Sequence, residues 1–298
     1  MKPIKFCKLH GFGNDYIVIE SKELADVENI GEFTKRICHR HTGVGGDGIA
    51  VLEKLENDAA DYACRIINPD GSEAAFSGNG TRCAVAYLYY KNLFSAENLK
   101  LRTKSGDKNY QLLSRENDTF WFLAELGKPK FDLPESEFTK SVPASDKTKK
   151  ETTLPIAFPN EGIIVNVFYV DVGNPVACVF VESFDATIVN NKKFDWRYIG
   201  QKIENLTEIF PARTNVVFIK NIDRGNIEIR IWERAAGETS SSGTCSIAAA
   251  VASIFTGKTE DKVAVHAVGG TTEAVWREDG EMMITGRADL AFCGEVFQ

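Results

Sequence analysis

The sequence has no surplus of positive charge, no long apolar run and no paired metal-binding cysteines, and each lack closes off a class of function. Its 35 Lys and Arg are outnumbered by 42 Asp and Glu, for a net charge of −7 with no basic patch, so nucleic acid is not an expected partner. The longest apolar stretch, Ile247 to Phe255, is about half the length of a membrane span. Residues Met1 to His10 hold no apolar segment fit for a signal peptide. A cytoplasmic protein without membrane contact is the expectation. The seven cysteines, at 7, 38, 64, 83, 178, 245 and 293, include no Cys-x-x-Cys pair. That spacing argues against a zinc site or a disulfide framework and for thiols kept reduced. At 43% hydrophobic and 26% charged residues the chain has no bias toward disorder, and 298 residues are enough for about two domains.

What is present is a repeat. Glu73-Ala-Ala-Phe-Ser77-Gly78-Asn79 recurs 165 residues later as Glu238-Thr-Ser-Ser-Ser242-Gly243-Thr244. Each copy follows a strand-like run (Tyr62–Ile67, Ile227–Trp232) and precedes a small, apolar, helical one (Ala84–Tyr90, Ile247–Phe255). Gly13-Asn14 recurs 160 residues on as Gly173-Asn174, and the turn at Ser105-Gly106 recurs 164 residues on at Gly269-Gly270. Ile163–Val170 alternates as a further strand. Ordered landmarks at nearly constant offset imply two homologous halves. We expect an α/β (α+β) fold of two pseudo-symmetric domains, each a mixed sheet wrapped around a central helix, with a cleft between them. The boundaries fall at 1–130 and 131–286, with 287–298 returning to the first domain. Gly127 to Pro134 punctuates the middle, and the Lys-Thr-Lys-Lys run at 147–150 reads as a solvated loop.

Ser77-Gly78-Asn79 and Ser242-Gly243-Thr244 each stand at a strand-to-helix junction. The first turn of a helix carries unpaired N–H groups and a partial positive charge, and glycine lets a ligand approach the backbone. A lone serine there reads most simply as an N-cap. Two equivalent serines, each followed by glycine, point instead to a cradle for one carboxylate or phosphate. Asn14, Asn68, Asn174 and Asn215 each sit beside a turn or strand end, where asparagine is common for structural reasons alone. Glu233-Arg234 closes an apolar strand as either a buried ion pair or a ligand clamp, in which Arg grips a carboxylate with two parallel bonds.

Lys8-Leu-His-Gly-Phe-Gly-Asn14-Asp, Gly43-Val-Gly-Gly-Asp47-Gly, Asn68-Pro-Asp-Gly-Ser-Glu73, Ser77-Gly-Asn-Gly-Thr-Arg-Cys83, Gly173-Asn-Pro175 and Trp232-Glu-Arg-Ala-Ala-Gly-Glu-Thr239 resemble the diaminopimelate epimerase family, from residue 5 onward. The resemblance implies two similar domains around a cleft, no cofactor, no metal and a homodimer. It also implies a small amino-acid substrate whose α-carbon is inverted by a cysteine base and a cysteine acid. The substrate α-carboxylate would lie at the helix N-termini of Gly78, Asn79, Gly243 and Thr244. Asn68, Asn215, Glu233 and Arg234 would hold the distal end, and Asn14 and Asn174 would line the cleft.

The sequence departs from the family at its centre. Both family cysteines fall on serine, Ser77 and Ser242; the histidine after Gly-Asn-Pro is Val176; and a motif glycine is Cys245. A serine hydroxyl needs a neighbouring base before it can act on a proton. Cys245, one turn into its helix, is a site where a thiolate is favoured, although its side chain should point away from Ser242. Three readings therefore stand. The first is an amino-acid epimerase or racemase with exchanged thiols, or one that runs on Ser77 and Ser242 with Glu233. The second is an isomerase or lyase acting on a related α-substituted acid, and the third is a binding protein that keeps the clamps alone.

Overall fold

Alternating and apolar runs become strands, and the two runs rich in Ala become buried helices. The computed structural model describes residues 3–56, 58–134, 153–184, 187–189 and 192–297. The basic run at 147–150 lies outside them. Two units are distinguishable: Met1–Leu126 with Ile284–Gln298, and Gly127–Met283.

In chain order the first unit holds β1 (Ile4–Gly11), β2 (Asn14–Glu20), α1 (Ile30–Cys38), β3 (Ile49–Lys54), β4 (Tyr62–Ile67), β5 (Glu73–Ala74), α2 (Gly78–Tyr90), β6 (Asn98–Thr103), β7 (Gly106–Glu116) and β8 (Thr119–Gly127). The second holds β9 (Thr153–Phe158), β10 (Ile163–Asp171), β11 (Pro175–Phe180), β12 (Thr187–Val189), β13 (Lys192–Phe194), α3 (Trp196–Glu204), β14 (Asn215–Asn221), β15 (Asn226–Glu233), β16 (Gly237–Thr239), α4 (Gly243–Phe255), β17 (Lys262–Ala267) and β18 (Gly270–Trp276). β19 (Met282–Val296) follows, and from Ile284 on it belongs to the first unit.

The first sheet runs β8-β7-β6-β4-β3-β2-β1-β19, and β19 also pairs β8, so the sheet closes on itself. Two neighbouring pairs, β2 with β3 and β4 with β6, are parallel. In the second unit the order is β9-β10-β11-β14-β15-β17-β18, again with two parallel pairs, β11 with β14 and β15 with β17. The repeat in sequence is thus a repeat in topology.

Each sheet wraps one helix. Every residue of α2 from Gly78 to Tyr89, and of α4 from Gly243 to Ser253, is buried. A helix enclosed on all sides cannot show an amphipathic stripe, and the Ala-rich stretches meet that condition. Small side chains also bring the helix axis close to the sheet. At Gly80 an added Cβ would stand 2.9 Å from both Ile66 Cδ1 and Tyr16 Cε1. At Gly286 of β19 it would stand 2.5 Å from Cζ of Arg82, a guanidinium buried on α2.

One sequence expectation is corrected. Cys7 and Cys293, 286 residues apart, form a disulfide, while Cys38, Cys64, Cys83, Cys178 and Cys245 are free and buried. The partners face each other across β1 and β19, a register set by the return of the last strand and invisible in the spacing of cysteines along the chain.

Candidate functional site

Both serines are N-caps, with nearly the same backbone. Ser77 has φ −139° and ψ 120°, and Ser242 has φ −148° and ψ 122°. Ser77 Oγ accepts from the Gly80 N–H at 3.1 Å, and Ser242 Oγ accepts from the Cys245 N–H at 3.4 Å. Each hydroxyl therefore sits on the positive end of a thirteen-residue helix axis, at a place that favours negative charge. The N-cap reading is the one this geometry shows, and a capping oxygen faces the same ground an anion would use.

Their surroundings differ. Ser77 Oγ lies 2.8 Å from Tyr16 Oη, and its carbonyl accepts from Thr81 Oγ1 at 2.7 Å. Ser242 Oγ lies 3.3 Å from Thr244 Oγ1. Tyr16 was not singled out by sequence. The available signal was its place two residues after Asn14, which the repeat equates with Val176 two residues after Asn174.

Asn14, Asn79 and Arg82 form a directed chain in the first unit. Arg82 Nη1 donates to Asn79 Oδ1 at 2.8 Å, Asn79 Nδ2 to Asn14 Oδ1 at 3.1 Å, and Asn14 Nδ2 to Asp47 Oδ2 at 2.7 Å. A guanidinium with no acceptor capacity at one end and a carboxylate at the other fix the direction of both amides. Asp47 in turn meets Arg40, which also holds Asp15, and Lys8 lies 2.8 Å from Asp15. Asn68 stands apart from this chain, with its amide donating to Ser72 Oγ at 3.1 Å inside its own turn.

Burial pushes the Asp15 carboxyl up, but hydrogen bonds from Arg40 and Lys8 outweigh it and hold the group at about 2. Asp47 is shifted upward, by burial first and by its neighbour Asp15 second. An Asp whose folded pKa lies below the unfolded value of about 3.9 adds stability above that value and loses it as pH falls toward the folded one. Arg40→Ala should therefore lower the thermal midpoint at neutral pH. The gap from the parent protein should shrink between about pH 4 and about pH 2, as read by melting curves at both ends. A gap of equal size at both ends would remove Arg40 as the cause of the low Asp15 value.

In the second unit Asn215 Oδ1 accepts from the Arg234 N–H at 2.9 Å, and Arg234 Nη1 donates to the Ala212 carbonyl at 2.8 Å. Val176 pairs Asn215 in the parallel register of β11 and β14, and is fully buried. The Asn174 carbonyl accepts from the Val172 N–H at 3.2 Å. The turn after Glu233 rests on Glu204 at the end of α3, a buried carboxylate that sequence reasoning missed. Glu204 accepts from the Ala235 N–H at 2.8 Å and from Trp232 Nε1 at 2.7 Å, and it pairs with Arg213. A single Glu at a helix end carries no motif, so nothing in the sequence marked it.

Cys245 is the third residue of α4. It is fully buried, and burial first, then the charge of Glu233, hold its thiol well above the ordinary range. Burial thus opposes the thiolate that the helix N-terminus would favour. Among the described residues no His, Cys, Asp and Glu group is arranged to hold a metal ion, and no helix is long and apolar enough to cross a membrane.

Comparison with known proteins places these residues in context. The pattern of the family described as diaminopimelate epimerase matches residues 6–131 and 168–291. The chain is 34% identical over 291 residues to the diaminopimelate epimerase of Pelotomaculum thermopropionicum, covering 97% of this chain and 98% of that one. It is 33% identical over 293 residues to that of Caldanaerobacter subterraneus, covering 98% and 99%. Among solved structures, a hydroxyproline epimerase from Agrobacterium vitis superposes with a TM-score of 0.68 at 16% identity, over 99% of this chain and 91% of that one. That likeness concerns the fold.

Proposed function

Because the chain belongs to the diaminopimelate epimerase family, and is an isomerase of the amino-acid epimerase and racemase kind, we propose that it inverts the α-carbon of a diaminopimelate-like substrate without a cofactor. The observation that carries this reading is the matched cap geometry of Ser77 and Ser242. A substrate α-carboxylate met by the first-turn backbone of Gly78 and Asn79, and by that of Gly243 and Thr244, would have donors waiting where charge develops once the α-proton leaves. Pre-aimed donors of that kind supply the largest share of catalysis in many enzymes. In this reading Ser77 and Ser242 take the two positions that the family resemblance assigns to acid and base, with Glu233 as the carboxylate able to serve as base. Asn68, Asn215, Glu233 and Arg234 recognise the distal amino-acid end, and Asn14 and Asn174 line the site. The reading includes a cytoplasmic homodimer.

The test is proton NMR in D₂O with L,L- and meso-diaminopimelate. Loss of the α-proton signal together with appearance of the other stereoisomer is the expected result. Neither exchange nor line broadening with either isomer would overturn the substrate assignment. Arg234→Ala should abolish binding of the same compounds in calorimetry, since a distal carboxylate would lose its bidentate partner. Unchanged affinity would remove Arg234 from the clamp.

A further inference from the structure

The first-turn serines differ in one respect that bears on how a hydroxyl takes part in proton transfer. Ser77 Oγ is 2.8 Å from the phenol oxygen of Tyr16, and the Gly80 N–H reaches the same Oγ at 3.1 Å. The Tyr16 ring is buried and lies directly over the first turn of α2, where the missing side chain of Gly80 makes room for it. At the place the repeat equates with Tyr16, the second unit has Val176, a side chain that can neither give nor take a proton.

We propose that Tyr16 is a positioning residue that acts through Ser77, exchanging a proton with its hydroxyl, so that Ser77 carries the proton abstraction on its own face of the α-carbon. The proposal deepens the isomerase reading above. A serine alkoxide is out of reach near neutral pH, and a phenol is the more acidic of the two hydroxyls, so the pair ionises first at Tyr16. Once the phenol proton has gone to solvent, the phenolate accepts a hydrogen bond from Ser77 Oγ–H. Ser77 Oγ then takes the α-proton while its own proton passes to the Tyr16 oxygen. The electron pair of the broken C–H bond stays on the substrate and spreads into its carboxylate. Inversion follows when a proton reaches the opposite face of the carbanion from the acid on that side, and loss of the Tyr16 phenol proton to solvent restores the phenolate. The helix N-terminus at Gly80 steadies negative charge shared between the two oxygens.

On the elements packed against Tyr16 the ionisable groups nearest in register are Lys8 and His10, which flank its partner Leu9 on β1, Asp15 next to it in β2, and Arg82 and Cys83 of α2, with Asp47 ahead of β3. All of them are unchanged by Tyr16→Phe, which keeps the ring and removes only the hydroxyl, so they drop out of the comparison that follows.

A thiol placed at either cap reports the hydroxyl's influence without any substrate. The rate of iodoacetamide alkylation, mapped by peptide mass spectrometry across pH, is compared for S77C, S77C with Y16F, S242C, and S242C with Y16F. We expect the S77C thiol to titrate about one pH unit lower with the tyrosine than without it, because a donor to the thiolate favours the charged form. S242C should not move. Equal midpoints for the two S77C proteins would overturn the proposal, as would an equal shift at S242C. With Ser77 in place, Y16F should slow α-proton exchange by about 10²-fold or more and remove the rise with pH, with substrate affinity kept. Unchanged exchange would overturn the proposal. If the parent protein exchanges no α-proton at all, the isomerase reading fails, while the thiol comparison still decides whether Tyr16 acts on Ser77.

Discussion

Returning sulfur to both caps, with Ser77→Cys and Ser242→Cys in one chain, should raise α-proton exchange on diaminopimelate by about 10² to 10⁴-fold over the parent protein. A cysteine thiol is far more acidic than a serine hydroxyl, and a helix N-terminus favours its thiolate, so each cap would gain a group better able both to take and to give a proton. The substitution is sterically mild. Losing either cap bond costs about 1 kcal/mol, against a typical domain stability of about 5–15 kcal/mol, so the doubly substituted chain should fold. NMR in D₂O reads the result. If exchange stays at the parent's rate in a folded protein, the two caps do not serve the reacting carbon, and the carry-over of family roles onto positions 77 and 242 fails.

Glu204→Ala should destabilise the second unit by about 3 kcal/mol, the low end for removing one member of a buried ion pair. We take the low end because the Arg213 side chain keeps 37% of its surface in water. The loss strands three groups at once: the indole N–H of Trp232, the backbone N–H of Ala235 and the guanidinium of Arg213. It also frees a strained turn. Arg213 has φ 62° and Ala235 has φ 63°, a left-handed backbone that residues with a Cβ adopt reluctantly. The same carboxylate fixes both. Glu204→Gln keeps an acceptor and loses only the charge, so its cost should be smaller. Urea unfolding of the three proteins gives the order. A midpoint for Glu204→Ala within about 0.5 kcal/mol of the parent would mean that the turn carrying Arg234 holds itself.

What the sequence made legible was whatever local chemistry repeats. Ser77 and Ser242 stood out because each is followed by glycine and an apolar helix at one common offset, and both prove to be caps with one backbone geometry. The strand Tyr62–Ile67 keeps those bounds in the structure, and both central helices start at the glycine after the serine, several residues ahead of their apolar runs. Capping residues, not hydrophobicity, set that start. Tyr16 and Glu204 were hidden because they act on groups far along the chain, and hydrogen bonds across 61, 31 or 28 residues leave no periodic trace. The pairing of Cys7 with Cys293 was hidden for the same reason, since it depends on β19 lying beside β1.

That last strand has a consequence for how the protein is made. The first unit needs residues 284–296 to join β1 to β8, whereas the second is one uninterrupted stretch of chain. On the ribosome the second unit emerges complete while the first still presents two raw edges, one on β1 and one on β8. Unpaired strand edges are templates for the wrong partner. The nascent chain is therefore most open to aggregation in the interval between the synthesis of β8 and that of β19, during which about half of its length is made.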